Sequence, residues 1–176
     1  VRSRAEIKGL SNLPRSASLE VAKDNKLASR CIAILLAACS AGSECILENP
    51  ADHGDEACRA TFMHKDHGPI WLYPDVVDFA NYTCSELITF PYCALDMPYQ
   101  KFTSLLVTPG LAPALRFLGE LKCEHQKHES HAGGKKDTNG NWNSRGTAQW
   151  PALLITFVAQ AVSGLVPPEV LGQLAS

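Results

Sequence analysis

The sequence has no long apolar run of the kind that crosses a bilayer. Its two longest apolar stretches, Cys31 to Cys39 and Leu153 to Val162, are too short or too polar to span the hydrocarbon core. It also has no basic and apolar signal ahead of a cleavage site, and its formal net charge is only -2. We therefore expect a soluble protein without a membrane partner, and charge alone does not select nucleic acid as a partner.

The seven cysteines are not an even set, which argues against a simple disulfide framework. Several of them lie in apolar runs, where a free thiol behaves as a small hydrophobe. This usage indicates a reducing, intracellular compartment, nuclear or cytoplasmic. With 176 residues, of which 45% are hydrophobic and 19% charged, the chain fits one globular domain with its own core. The sequence assigns no oligomeric state.

Helical and strand patterns alternate, which predicts an α/β fold. Apolar positions at helical spacing from Leu19, with Ser18 as N-cap and Gly42 as a stop, predict a long helix. Its end from Cys31 to Cys39 is apolar on nearly all sides, so we expect it to pack deep against a sheet. Shorter helices are predicted from Pro74 to about Tyr82, from Leu111 to Leu118 and from Pro151 to about Ser163.

Three apolar runs predict strands, at Cys45–Leu47, Glu86–Phe90 and Phe102–Thr108. The last two are too close for a crossover helix, so we expect an antiparallel or hairpin-like pair. Asn49 to Asp55 is predicted to be a loop, because Pro50 cannot donate to a sheet ladder and biases its predecessor away from helix.

Polar segments flank and interrupt the predicted domain, which covers residues 19 to 164. Residues 1 to 18 are a basic, irregular lead-in that we interpret as solvated. Residues 122 to 148 have the composition of a polar loop, and residues 165 to 176 form a tail after Pro167-Pro168. His64 and His67 are interpreted as surface or loop histidines, since no third ligand is close to them in sequence.

The polar loop begins with a cluster of metal-ligand side chains. Cys123, His125, His128 and His131 fall within nine residues, and thiolate with imidazole is the donor set that zinc prefers. The spacing matches no standard zinc finger. The alternative is a polar loop whose histidines bind phosphate, substrate or nothing.

Three motifs occur in order along the chain. Glu48-Asn49-Pro50 ends the first predicted strand, Met97-Pro98-Tyr99-Gln100-Lys101-Phe102-Thr103 leads into a later one, and Trp150-Pro151 opens the final helix. With these motifs, residues 19 to 164 resemble the C-terminal part of DNA cytosine-5 methyltransferases. They resemble more closely the divergent methyltransferase-like domains of retroelements and of algal or protist genomes. The resemblance implies a partial Rossmann-like, class I methyltransferase-like sheet with flanking helices.

The resemblance also implies roles for named residues. Glu48 would hydrogen-bond the N3 and amino edge of a flipped cytosine, and Asn49 would fix the neighbouring loop. Pro50, Gln100 and Lys101 would contact the substrate, with the amide and the cation near the target phosphate and sugar of DNA. The alternative reading of Glu48 is a strand-end acid that caps a turn.

The chain lacks the motifs that bind the cofactor and supply the nucleophile in this family. It has no Phe-x-Gly-x-Gly loop for S-adenosylmethionine, none of its cysteines follows a proline, and the family's second basic residue, expected near Thr103, is absent. Thiolate attack and cofactor docking are indispensable, so the chain alone is expected to be inactive, and S-adenosylmethionine would bind only in a longer parent chain. The first residue, Val1, fits such an excised segment. The alternative function is a noncatalytic nucleic-acid or protein binding module of a mobile element.

Overall fold

Helices and short strands alternate along the chain, as the sequence predicts. The computed structural model describes residues 2–55, 65–125, 128, 130–131 and 149–164. The helices are α1 (Arg15–Ser40), α2 (Pro74–Thr83), α3 (Ala112–Leu115) and α4 (Ala152–Val162). The strands are β1 (Ile46–Pro50), β2 (Glu86–Pro91), β3 (Tyr99–Gln100), β4 (Phe102–Val107) and β5 (Ser130–His131). Short 3-10 helices cover Ile70–Leu72, Tyr92–Leu95 and Arg116–Glu120. The predicted mixed α/β class is confirmed.

The three longer strands form an antiparallel sheet in the order β1-β4-β2. The N–H of Thr108 donates to the carbonyl of Cys45 at 3.1 Å, and the N–H of Tyr92 donates to the carbonyl of Lys101 at 2.8 Å. The second bond closes the β2–β4 pair, so the predicted antiparallel pairing is confirmed. A separate two-stranded sheet joins β3 and β5 in parallel.

The chain divides into two compact units. Unit 1 comprises Val1–Leu87 and Leu105–Ala112, and unit 2 comprises Ile88–Ser104 and Pro113–Ser176. The core of unit 1 is a cluster of buried apolar side chains from α1, the residue before β1, the segment before α2, α2 and β4. Its members are Ile32, Cys45, Trp71, Tyr73, Val76, Phe79 and Leu106. In unit 2 the buried side chains include Phe90, Leu115, Leu118 and Leu154, and Phe157 meets Phe117 edge to face at 5.0 Å.

Helix α1 is confirmed, but its predicted start is wrong. The helix begins at Arg15 with Pro14 at the N-cap, and the N–H of Ser18 already donates to the Pro14 carbonyl at 2.9 Å. The fixed φ of proline suits a helix start, which moves the cap four residues ahead of Ser18. The predicted stop at Gly42 is confirmed, because this residue has a φ of +84° and donates its N–H to the Cys39 carbonyl.

The expected deep packing of the C-terminal third of α1 is wrong. Ile32 is buried there, whereas Ile34 is 70% exposed and Cys31 is exposed. The core side chains of unit 1 cover a single face of the helix, with Leu35, Ala38 and Cys39 packing beside Ile32. A helix with one covered face leaves its remaining apolar side chains at the surface, whatever their hydrophobicity.

Strand β1 is longer than predicted and runs through the residues expected to begin a loop. It extends to Pro50, so Glu48 and Asn49 lie within the strand. Pro50 has no N–H, but it stands at the strand end and its carbonyl accepts a hydrogen bond from Trp71 Nε1 at 3.0 Å. The hydrogen bond from Trp71 therefore holds the end of β1 at Pro50, where the sequence predicted a loop.

The lead-in, interpreted from sequence as solvated, packs onto unit 1. Ser3 is only 6% exposed and forms an isolated antiparallel bridge with His67. Gly9 has a φ of +123° and lies against Val21, where a side chain would not fit. Most of the predicted polar loop and the tail from residue 165 lie outside the described residues, as does His64.

Candidate metal centre

Unit 2 brings four metal-ligand side chains together from two parts of the chain. Cys93 lies in the 3-10 helix that follows β2, and Cys123 and His125 lie in the extended segment after the 3-10 helix Arg116–Glu120. His128 follows three residues later. The donor atoms of these four residues all lie within 4.8 Å of one another.

The spacing of the donors is close to that of a tetrahedral zinc site. Sγ of Cys123 lies 3.1 Å from Nε2 of His128, and the rings of His125 and His128 are 5.1 Å apart at 48°. Bond lengths of about 2.3 Å to sulfur and about 2.0 Å to nitrogen place tetrahedral donors roughly 3.3–3.8 Å apart. The widest pair therefore needs to approach by about 1 Å for all four donors to reach one ion.

The four ligands differ in how deeply they are buried. Cys93 is 4% exposed, Cys123 and His128 are half-buried, and His125 is exposed. Burial is the largest cause that raises the pKa of the Cys93 thiol, and together with the hydrogen bond and charge of Cys123 it brings the pKa to about 12. A bound cation acts in the opposite direction because it stabilises the thiolate. Metal binding at this cluster must therefore release protons.

Gln100 contacts one ligand of the cluster, Cys123, through a hydrogen bond. Its side chain is 3% exposed, and Nε2 donates a hydrogen bond to Sγ of Cys123 at 3.8 Å. Strand β3 holds this glutamine, because Asp96 takes a left-handed conformation with a φ of +61° that turns the chain from the 3-10 helix toward β3. A buried amide donor to a sulfur is the outer-shell contact that tunes metal sites.

The cluster overlaps the set predicted from sequence in three residues. Cys123, His125 and His128 belong to it, whereas Cys93 lies thirty positions before Cys123 and was not expected. The side chain of His131 lies outside the described part of the chain; its backbone pairs with Gln100 in the β3–β5 sheet. Cys93 joins the cluster through a contact between parts of the chain that are distant in sequence, and such a contact leaves no local sequence pattern.

The residues carried over from the methyltransferase resemblance are distributed over both units. In unit 1, Glu48 and Asn49 are half-buried in β1, and Asn49 and Pro50 line a cavity of about 320 Å³. In unit 2, the amide of Gln100 is engaged with Cys123, and Nζ of Lys101 lies 4.4 Å from the centre of the Tyr92 ring. The roles of these residues toward DNA stay predictions.

Comparison with known proteins adds no assignment. No protein-family model, curated protein or solved structure matches the chain. Among the helices of the described residues, none is both long and apolar enough to cross a membrane.

Proposed function

We propose that this chain is a noncatalytic binding module whose unit 2 is held by one zinc ion, bound through Cys93, Cys123, His125 and His128. The convergence of two sulfur and two nitrogen donors within 4.8 Å carries this proposal. Four protein ligands fill a tetrahedral site and leave no position for water or substrate, which is the arrangement of structural rather than catalytic zinc.

The chemistry of the donors favours zinc over other common cations. Thiolate sulfur is a poor ligand for magnesium and calcium, which prefer oxygen, and a tetrahedral set of two sulfurs and two nitrogens suits zinc. The ion would join the 3-10 helix after β2 to the segment after Arg116–Glu120. A small unit gains most from such a cross-link.

Metal analysis of the purified protein tests the proposal. We expect one zinc per chain, and less than a tenth of that in Cys93→Ser and Cys123→Ser. Cys31→Ser is the matched control, because Cys31 is an exposed thiol on α1 in unit 1. Wild-type protein that carries no zinc, and takes up none when supplied with an equimolar amount, would disprove the site.

We propose that the partner of the module is nucleic acid or protein, which is the alternative function that the sequence suggests. A gel-shift titration of single-stranded and duplex DNA at low salt tests the first of these. Binding that weakens steeply as salt rises supports a nucleic-acid partner, because phosphate contacts release counterions. Absence of any shift counts against a nucleic-acid role.

A second proposal retains the resemblance to DNA cytosine-5 methyltransferases of the kind carried by retroelements. In it the chain is the C-terminal part of a Rossmann-like, class I methyltransferase-like domain, and S-adenosylmethionine binds only in a longer parent chain. The position of Asn49 and Pro50 on the wall of a cavity supports this proposal. Duplex DNA binding that is lost in Glu48→Ala, but kept in Glu20→Ala on α1, is the expected result. Equal binding by the two variants would count against it.

A further inference from the structure

Unit 1 contains a cavity of about 320 Å³, a volume at the lower end of the range for small-molecule sites. The lead-in, α1, the end of β1 and the segment before α2 enclose it. Its wall is apolar over much of its area, through Ile7, Pro50 and Ile70, and one guanidinium, that of Arg2, is set into it. An apolar wall with one cation fits a ligand with an apolar body and a single negative charge.

The guanidinium of Arg2 is fixed in place before any ligand arrives. Its Nη2 donates to Oδ1 of Asn25 at 2.9 Å, and Nδ2 of Asn25 donates to the carbonyl of Lys8 at 2.7 Å. The backbone beside Arg2 is also held, because Ser3 is buried and bridges His67. An arginine that is already ordered loses little conformational entropy when it binds a ligand.

The charge of Arg2 is not neutralised by an ion pair among the described residues. Asp52, the acid that pairs with the lead-in, is bonded to Arg4 and lies 3.4 Å from Nδ1 of His67. Asp24 also lines the cavity, but it is an exposed residue and forms no ion pair with Arg2. The arginine therefore keeps N–H donors for an anion, and Asp24 sets a repulsive charge on the same wall.

We infer that this cavity binds a small organic anion, a carboxylate or phosphate on an apolar body of about one ring, with Arg2 as its charge partner. Arginine presents parallel N–H groups that match the two oxygens of such an anion. This site lies in unit 1 and involves none of the zinc ligands of unit 2.

Benzoate, phenyl phosphate, benzyl alcohol and benzylamine are matched probes, because they share one ring and differ in charge. Each is titrated into the 176-residue chain and followed by NMR, with the indole N–H of Trp71 as reporter. That N–H donates to the carbonyl of Pro50, which lines the cavity. We expect benzoate or phenyl phosphate to bind at least about tenfold more tightly than the alcohol and the amine. The better of the two anions identifies the class of ligand. Equal binding by all four probes would overturn the inference.

Three variants separate charge recognition from folding. Arg2→Gln should weaken anion binding at least about tenfold, Arg2→Lys should weaken it less, and Asp24→Asn should strengthen it. Arg15→Gln, an exposed arginine at the start of α1, should leave the affinity unchanged. If Arg2→Gln has a native spectrum and binds the anion as the wild type does, the site does not depend on Arg2 and the inference fails. Zinc content reports separately on unit 2, so either proposal can fail while the other stands.

Discussion

The side-chain amide of Gln100 donates a hydrogen bond to the sulfur of Cys123 at 3.8 Å, inside unit 2. The glutamine is buried, so this amide has little access to water and its contact with the sulfur is local and directional. Such an N–H···S bond fixes the orientation of a ligating sulfur, as the outer-shell partners of metal ligands do. Gln100 is therefore a positioning residue for the proposed zinc site.

Replacing Gln100 tests that role. Gln100→Leu removes the donor at similar size, and we expect zinc affinity to fall by about tenfold to a hundredfold, the usual cost of losing an outer-shell partner. Competition with a chelator of known affinity measures the change. The exposed Gln149 supplies the control Gln149→Leu, which should bind zinc as the wild type does.

A purely structural role for Gln100 would give a different pattern. The rate at which Cys123 is alkylated in the zinc-loaded protein should rise in Gln100→Leu, because the metal leaves more often. If Gln100→Leu unfolds more easily yet keeps wild-type zinc affinity and alkylation rate, Gln100 fills space and does not act on the sulfur.

Removal of zinc should destabilise unit 2 more than unit 1, since the proposed ligands all belong to unit 2. A ligand present at a thousand times its dissociation constant stabilises the folded state by about 4.1 kcal/mol. We expect chelation to accelerate hydrogen exchange in α4 and β3 and to leave exchange in α2 close to its zinc-loaded rate. Uniform loss of protection in both units would contradict a local role for the ion.

Local patterns in the sequence predicted the elements well, because helix periodicity and proline positions act over a few residues. The helix from Pro74, the antiparallel pair of β2 and β4, and the stop at Gly42 are examples. The start of α1 was missed, since Ser18 competed with a proline that also begins helices.

Long-range contacts were the part that sequence patterns did not reveal. Cys93 contacts the Cys123 segment through tertiary packing. Arg2 lines the cavity because the neighbouring Ser3 pairs with His67 and holds the lead-in in place. His67, interpreted as a surface histidine, lines the same cavity. The polar and basic residues at the start of the chain predicted a solvated linker. In the structure, Ser3 is buried and its backbone pairs with that of His67, which orders the segment.

A buried hydroxyl joins β1 to the end of β4 and provides a stability test. Oγ1 of Thr108 accepts a hydrogen bond from the N–H of Cys45 at 2.8 Å and donates to the carboxylate of Glu44. Thr108→Val keeps the shape but leaves that buried N–H without its side-chain acceptor, which costs about 1–3 kcal/mol. Urea unfolding of Thr108→Val measures the loss.

Thr156→Val on α4 is the matched control for Thr108. Thr156 is exposed, and within the described part of the chain its hydroxyl bonds only to the Ala152 carbonyl of its own helix. Its replacement should change the free energy of unfolding by less than about 0.5 kcal/mol. Equal effects of the two substitutions would show that the Thr108 hydroxyl contributes nothing specific.

The thiol of Cys45 should be the slowest to react among the cysteines of unit 1 that the structure describes. Its pKa is raised from 9.0 to about 11, mainly by burial and also by the hydrogen bond and charge of Cys39 and the charge of Glu44. The thiolate is the reactive form, so at pH 8 Cys45 should be alkylated far more slowly than the exposed Cys31 and Cys84. Peptide-resolved mass spectrometry after timed alkylation gives the three rates.

The same raised pKa fixes the sign of a pH effect on stability. The folded state holds the Cys45 proton more tightly than the unfolded state, so this contribution is complete below pH 9 and is lost as pH rises toward 11. Cys45→Ala, which has no thiol to ionise, should lose less stability than the wild type over that interval. Unfolding free energies at pH 8, 9.5 and 11 measure the difference. Parallel pH profiles of the two proteins would show that the buried thiol does not titrate with unfolding.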